Sequence, residues 1–369
     1  MSEDELLPTM PFMQGRKLLE ELGVTLPEGM AAIPAPDPDL DPQLPVGFGR
    51  LTVLSEVESG TGRALLAHDE DLGRTVRIQL LGADQAAGPG LETFVREARI
   101  LARLQHPGAP SVHDFGTTED GDLYFVVAQV EGQTLRDALT DEEWSAGRAA
   151  RVFVKLAELV ACAHDRRVAV GDLDPSRILL GRFGEVTIPF WGGASLLADD
   201  PGEERITGRH KAYGRTAQIG VLGGKGEGAS AAYGSPEQLR GADANERSDI
   251  FCLGAVLYEL LTGNAAFTEE TIAKLVPGGP DPRTARGRRD VPEELAAVVD
   301  AALRFVPSER PESVRELLDP VLAWIDAPRR GAAPDGDDPL REARWRLDDL
   351  KKAAEALQGR IDAFEGVLD

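Results

Sequence analysis

Aromatic side chains are scarce in this sequence, at 5% of 369 residues, so the core must be built from aliphatics, which a 42% hydrophobic content supplies. Cysteine is nearly absent. Cys162 and Cys252 both lie in apolar runs, the setting of buried free thiols rather than a disulfide. No apolar stretch reaches the roughly 18 residues of a membrane span. Positive charge is short too: 40 Lys and Arg face 63 Asp and Glu, a net charge of −23. So acidic a chain is repelled by nucleic acid and by anionic membranes, and neither is expected as a partner. Met1-Ser2-Glu3-Asp4-Glu5 has the wrong charge for a secretory signal, and the expected location is the cytoplasm. The five histidines do not cluster, so no metal is expected.

The chain divides by composition. Residues 1–48 form an arm with a proline-rich stretch, Pro27 to Pro45, that favours extended backbone and cannot pack a core. From 49 to about 130 the pattern predicts strands, at Leu51–Leu54, Thr75–Leu80 and Leu123–Val130, with one helix over Phe94–Leu104. From about 131 to 327 it predicts helices, among them Ala149–His164 and the apolar Ile250–Leu261. The expected class is therefore α+β, a small β-rich lobe followed by a larger helical lobe with a cleft between them. Residues 328–339 are a polar linker. After it, Leu340, Ala343, Leu347, Leu350, Ala354, Leu357, Ile361, Phe364 and Leu368 form an apolar repeat of alternating threes and fours. That is the seam of a coiled coil over 340–368, so homo- or hetero-oligomerisation is expected there. The segment 193–232 carries Arg205, Arg209, His210, Lys211, Arg215 and Lys225, a basic island read as a solvated loop.

Four segments occur in a telling order. They are Phe94-Val95-Arg96-Glu97-Ala98-Arg99-Ile100-Leu101, Gly171-Asp172-Leu173-Asp174-Pro175-Ser176-Arg177-Ile178, Tyr233-Gly234-Ser235-Pro236-Glu237 and Ser248-Asp249-Ile250-Phe251, closed by Glu309-Arg310-Pro311. Together they resemble the Hanks-type Ser/Thr protein kinase domain of bacteria, over roughly 49–327. The resemblance implies a two-lobed kinase-like fold. It also implies a buried Glu237–Arg310 ion pair, an anchoring role for Asp249 on the catalytic loop, and an interlobe stack of Leu101, Val112, Val170 and Trp191.

At the chemical positions the resemblance fails. Phosphoryl transfer needs cations and metal ligands at fixed places. Gln79 stands where the phosphate-gripping lysine belongs, which takes from Glu97 its usual partner. Arg177 replaces the asparagine that binds the second Mg²⁺, and Phe190 replaces the main metal carboxylate. Asp174 stands for a phosphate-contacting lysine and Gly171 for an arginine that clamps the activation segment. The glycine-rich loop is reduced to Val57, Ser59 and Gly62. Arg77, two residues from Gln79 and on the same strand face, is expected to fill the adenine space. Asp172 alone is retained, at the position of the catalytic base. The expectation is thus a catalytically inactive pseudokinase with no cofactor, ATP and Mg²⁺ binding being lost or weak, that acts as a scaffold or allosteric regulator of protein partners. The alternative is an atypical Ser/Thr kinase in which Arg77 or Arg177 supplies the missing positive charge.

Overall fold

A computed structural model describes residues 48, 50–57, 63–85, 89–118, 120–141, 144–197, 232–267 and 291–327. The proline-rich arm, most of the basic island and the heptads with Leu340, Leu347, Leu350, Leu357, Ile361, Phe364 and Leu368 lie outside them.

The first region is a sheet built from β1 (Leu51–Val57), β2 (Arg63–Asp69), β3 (Arg74–Leu81), β4 (Val112–Thr117) and β5 (Leu123–Ala128). All pairings are antiparallel and the order is β1-β2-β3-β5-β4. Alternation sorts β3: Val76, Ile78 and Leu80 pack with Phe48, Leu65 and Val126 on the outer face. Arg77, Gln79 and Leu81 take the other face, where Leu81 joins the main core.

Helix α1 (Pro89–Arg103) connects β3 to β4. Its buried stripe is Phe94, Ala98 and Leu101, and Glu97 falls on the same stripe, so this carboxylate is carried into the core with only 1% exposure.

The second region is helical. Helix α2 (Leu135–Asp141) precedes α3 (Ala146–Asp165), which Ser145 caps by accepting a hydrogen bond from the Arg148 amide. After the short α4 (Pro236–Leu239) comes α5 (Glu246–Thr262), capped by Asn245 and stopped by Gly263 at φ 67°. Every residue from Ser248 to Leu261 is buried, so α5 is the axis around which α3, α6 (Glu293–Ala302) and α7 (Val314–Asp326) pack. One apolar core runs from α1 and the inner face of the sheet through these helices, and it includes Leu101, Val170 and Trp191, with Val112 packed against it. Among the described residues, no helix is long and apolar enough to cross a membrane.

Candidate active site between the sheet and the helical region

The segment that carries Asp172 is fixed from below. Asp249, in the first turn of α5 and fully buried, accepts hydrogen bonds from the Val170 and Gly171 amides, both at 2.8 Å. His164 at the end of α3 meets the same carboxylate at 2.7 Å. Three partners satisfy a buried charge that would otherwise be costly. Gly171 has φ 75°, and a Cβ there would stand 2.7 Å from the Gly193 carbonyl oxygen. The glycine at this position therefore answers a left-handed backbone as well as removing an arginine. Its own carbonyl accepts from Gln238 Nε2 at 2.7 Å, tying the loop to α4.

Lower in the helical region, Arg310 donates to both oxygens of Glu237 at 2.6 and 2.9 Å, and also to the carbonyls of Arg304, Phe305 and Arg247. Burial opposes the charge of Glu237, but the bonds from Arg310 prevail and hold the carboxyl below its ordinary pKa.

Asp172 projects from the anchored loop and is ion-paired with Arg177, five residues on, at the end of a 3₁₀ turn (Pro175–Arg177). Burial raises the Asp172 pKa and Arg177 acts against that rise. The capping task in this turn belongs to Asp174, whose Oδ1 accepts from the Ser176 amide and hydroxyl, both at 2.7 Å.

Sequence reasoning missed the cation beside Asp174. Arg136, on α2, approaches Asp174 Oδ1 and Glu259 Oε1 at 3.4 Å each and donates to the Tyr233 hydroxyl at 2.8 Å. Tyr233 in turn hydrogen-bonds Glu259. One guanidinium thus joins α2, the loop, the segment before α4 and α5. The sequence showed only an acid where the resemblance implies a lysine; its burial, 1% exposed, is what requires a cation from elsewhere.

Above the loop, Gln79 is buried on the inner face of β3 and Glu97 faces in from α1. Glu97 accepts a hydrogen bond from the Trp191 amide at 2.8 Å, which couples α1 to the segment after the short strand Val186–Thr187. Trp191 Nε1 donates to the Ile188 carbonyl at 2.9 Å, so the indole is both buried and satisfied. Arg77 reaches from β3 across to Phe190, its guanidinium carbon 4.2 Å from the ring centroid. Burial pulls the Arg77 pKa down to about 10 and the Glu97 charge opposes this, so the group stays charged at neutral pH. Glu97 therefore has a cationic neighbour on β3 even though Gln79 is neutral.

The structure thus draws Arg77, Gln79, Glu97, Phe190 and Trp191 together on one side, and Gly171, Asp172, Asp174 and Arg177 on the other. Two guanidiniums suit the phosphates of a nucleotide. The side chains at 177 and 190 offer no oxygen to a divalent ion, so Mg²⁺ would have to enter with those phosphates.

The protein kinase domain model matches residues 57–322. The serine/threonine-protein kinase PknD of Chlamydia pneumoniae is 29% identical over 316 residues, covering 79% of this chain and 33% of that protein. The serine/threonine-protein kinase PknB of Mycolicibacterium smegmatis is 33% identical over 293 residues, covering 77% and 43% respectively. The chain thus spans less than half the length of these relatives. The kinase domain of Mycobacterium tuberculosis PknI superposes with a TM-score of 0.55 at 21% identity, over 76% of this chain and 97% of that one, which supports the fold.

These relatives correct two expectations. An inactive pseudokinase is overturned, because the similar proteins are named as Ser/Thr kinases and so point to an enzyme. The expectation of no cofactor falls with it, since membership of a kinase family implies the use of ATP and Mg²⁺. With its two-lobed fold, its anchored loop and the family match over 57–322, this chain belongs to the protein kinase domain family, among relatives of the bacterial Hanks type.

Proposed function

We propose that the protein is an atypical serine/threonine protein kinase, cytoplasmic, in which guanidinium groups have taken over charge that other members place elsewhere. The observation that carries this reading is Asp172. It stands at the position of the catalytic base, on a loop held by the buried Asp249, and a cation lies directly against it. In the proposed reaction a substrate hydroxyl passes its proton to Asp172 as its oxygen bonds to the terminal phosphorus, and the nucleoside diphosphate departs with the bonding pair. Arg177 stabilises the carboxylate form of the base against burial. Arg77 and Arg177 offer positive charge to the phosphates, and Gln79 offers a neutral donor. The apolar repeat over 340–368 supports association with a second copy or a partner helix.

The test is transfer of the terminal phosphate of labelled ATP, with Mg²⁺, to a mixed Ser/Thr substrate by the purified full chain. Incorporation that disappears in Asp172→Asn is the expected result. Equal incorporation by that variant would remove Asp172 from the chemistry, and none with the wild-type chain would remove the reading.

A further inference from the structure

A groove of about 970 Å³ lies beside the outer strand β4. Its lining comes from the end of α1, from β4, from the connection 129–131 after β5, and from the turn between the short strands Leu179–Leu180 and Val186–Thr187. Arg77, Gln79, Asp172, Arg177 and Phe190 are not among the lining residues. Its apolar wall is made by Leu101, Leu104, Ala109 and Val112.

The rim is unusual in two respects. Phe115, which lines the groove, is 47% exposed, and Phe183, between the lining residues Arg182 and Glu185, is 83% exposed. Large apolar side chains held in water beside a concave surface mark interaction sites. The charge is one-sided: Asp114, Glu131 and Glu185 are exposed on the lining against Arg182 alone. His106 and His113 add no lasting positive charge, because burial lowers both below the ordinary histidine pKa. The His106 Nδ1 already accepts from the Gly108 amide at 3.0 Å.

The shape of the occupant follows from the sheet. β4 is an outer strand and lies along the groove, with no strand beside its free edge among the described residues. Extended chains dock along such edges, where alternate side chains enter the adjoining pockets. The chain's own amino-terminal arm has the wrong charge for this surface. Between Lys17 and Arg50 it holds no Lys or Arg and carries Glu20, Glu21, Glu28, Asp37, Asp39 and Asp41.

We propose that this groove is a docking site for an extended segment of a partner protein that bears basic and apolar side chains. The apolar residues bury against Val112 and Phe115, and the basic ones meet Glu131 and Glu185. The site is independent of phosphotransfer and does not rest on it.

The probe is a fluorescein-labelled peptide alternating Arg and Leu, titrated into the full chain and read by anisotropy. Saturable binding is expected, weakened about tenfold or more by Glu131→Lys with Glu185→Lys, and weakened again by Phe115→Ala, which leaves the charge unchanged. Asp319→Lys, an exposed reversal on α7, should leave it unaltered; an equal loss there would mean general attraction to an acidic chain and would overturn the proposal. Equal binding of a peptide with Glu in place of Arg would overturn it too. A self-association that Glu131→Lys abolishes would replace the partner by a second copy. Circular dichroism of each variant confirms the fold, so a lost signal is read as lost docking.

Discussion

Around Asp249, Glu237 and Arg310 the residues keep the types that a protein kinase domain carries there, and each buried charge has its partners. Between β3 and the Asp172 loop, Gln79, Asp174, Arg177 and Phe190 are not the types that the sequence resemblance implies there. The difference follows from what each group faces. A charge buried against another charge cannot change alone, because its partner is stranded at about 3–5 kcal/mol. Groups around a ligand site change more freely, provided neighbours rebalance the charge. That rebalancing is visible: Arg177 pairs with Asp172, Arg136 meets Asp174, and Arg77 sits within the field of Glu97 and against Phe190.

Arg310→Ala should lower stability by about 3–5 kcal/mol in urea unfolding, because it strands Glu237 and three carbonyls. Glu237 has a lowered pKa in the folded state, so its contribution is complete above 4.5 and is lost as pH falls through the lower folded value. Glu237→Gln should therefore flatten the acid side of the stability curve in that window. A variant that keeps the wild-type acid slope would deny the pair its role.

Gly171→Ala tests the loop itself. A side chain at φ 75° with the Gly193 oxygen 2.7 Å away should cost about 1–3 kcal/mol, read in the same unfolding experiment, and should reduce phosphotransfer through displacement of Asp172. An unchanged melting curve would mean that the loop relaxes.

The smallest stability effect belongs to the site. The Asp172–Arg177 pair is partly exposed, and Arg177→Ala should change stability by less than about 1 kcal/mol. Its pH effect has a definite sign. Arg177 lowers the Asp172 pKa against burial, so its removal raises that pKa and moves the acid limb of the phosphotransfer profile to higher pH.

Much of this was legible in the chain before folding. β3 shows in the alternation of Val76, Arg77, Ile78 and Gln79, and α5 in its continuous apolar run. β2 did not show, because Ala64, Leu65, Leu66 and Ala67 lack the β-branched residues that mark a strand; its place in the middle of the sheet decides it. β4 was hidden as well, being an outer strand with an irregularity between Val112 and Asp114 and mostly polar or exposed residues. At the site, local order fixed which residue stands at each position. It did not fix who pairs with whom: Arg136, Asp174, Tyr233 and Glu259 come from four parts of the chain, and only tertiary packing makes them one network.

Nucleotide binding reports on the relocated positive charge. Thermal denaturation of the full chain with ATP and Mg²⁺, at 100 times the dissociation constant, should show about 2.7 kcal/mol of stabilisation. The double variant Arg77→Ala with Arg177→Ala should lose most of it. Stabilisation that is larger in the double variant would show that these guanidiniums exclude the nucleotide rather than hold it, and its absence in the wild type would equally contradict their proposed role.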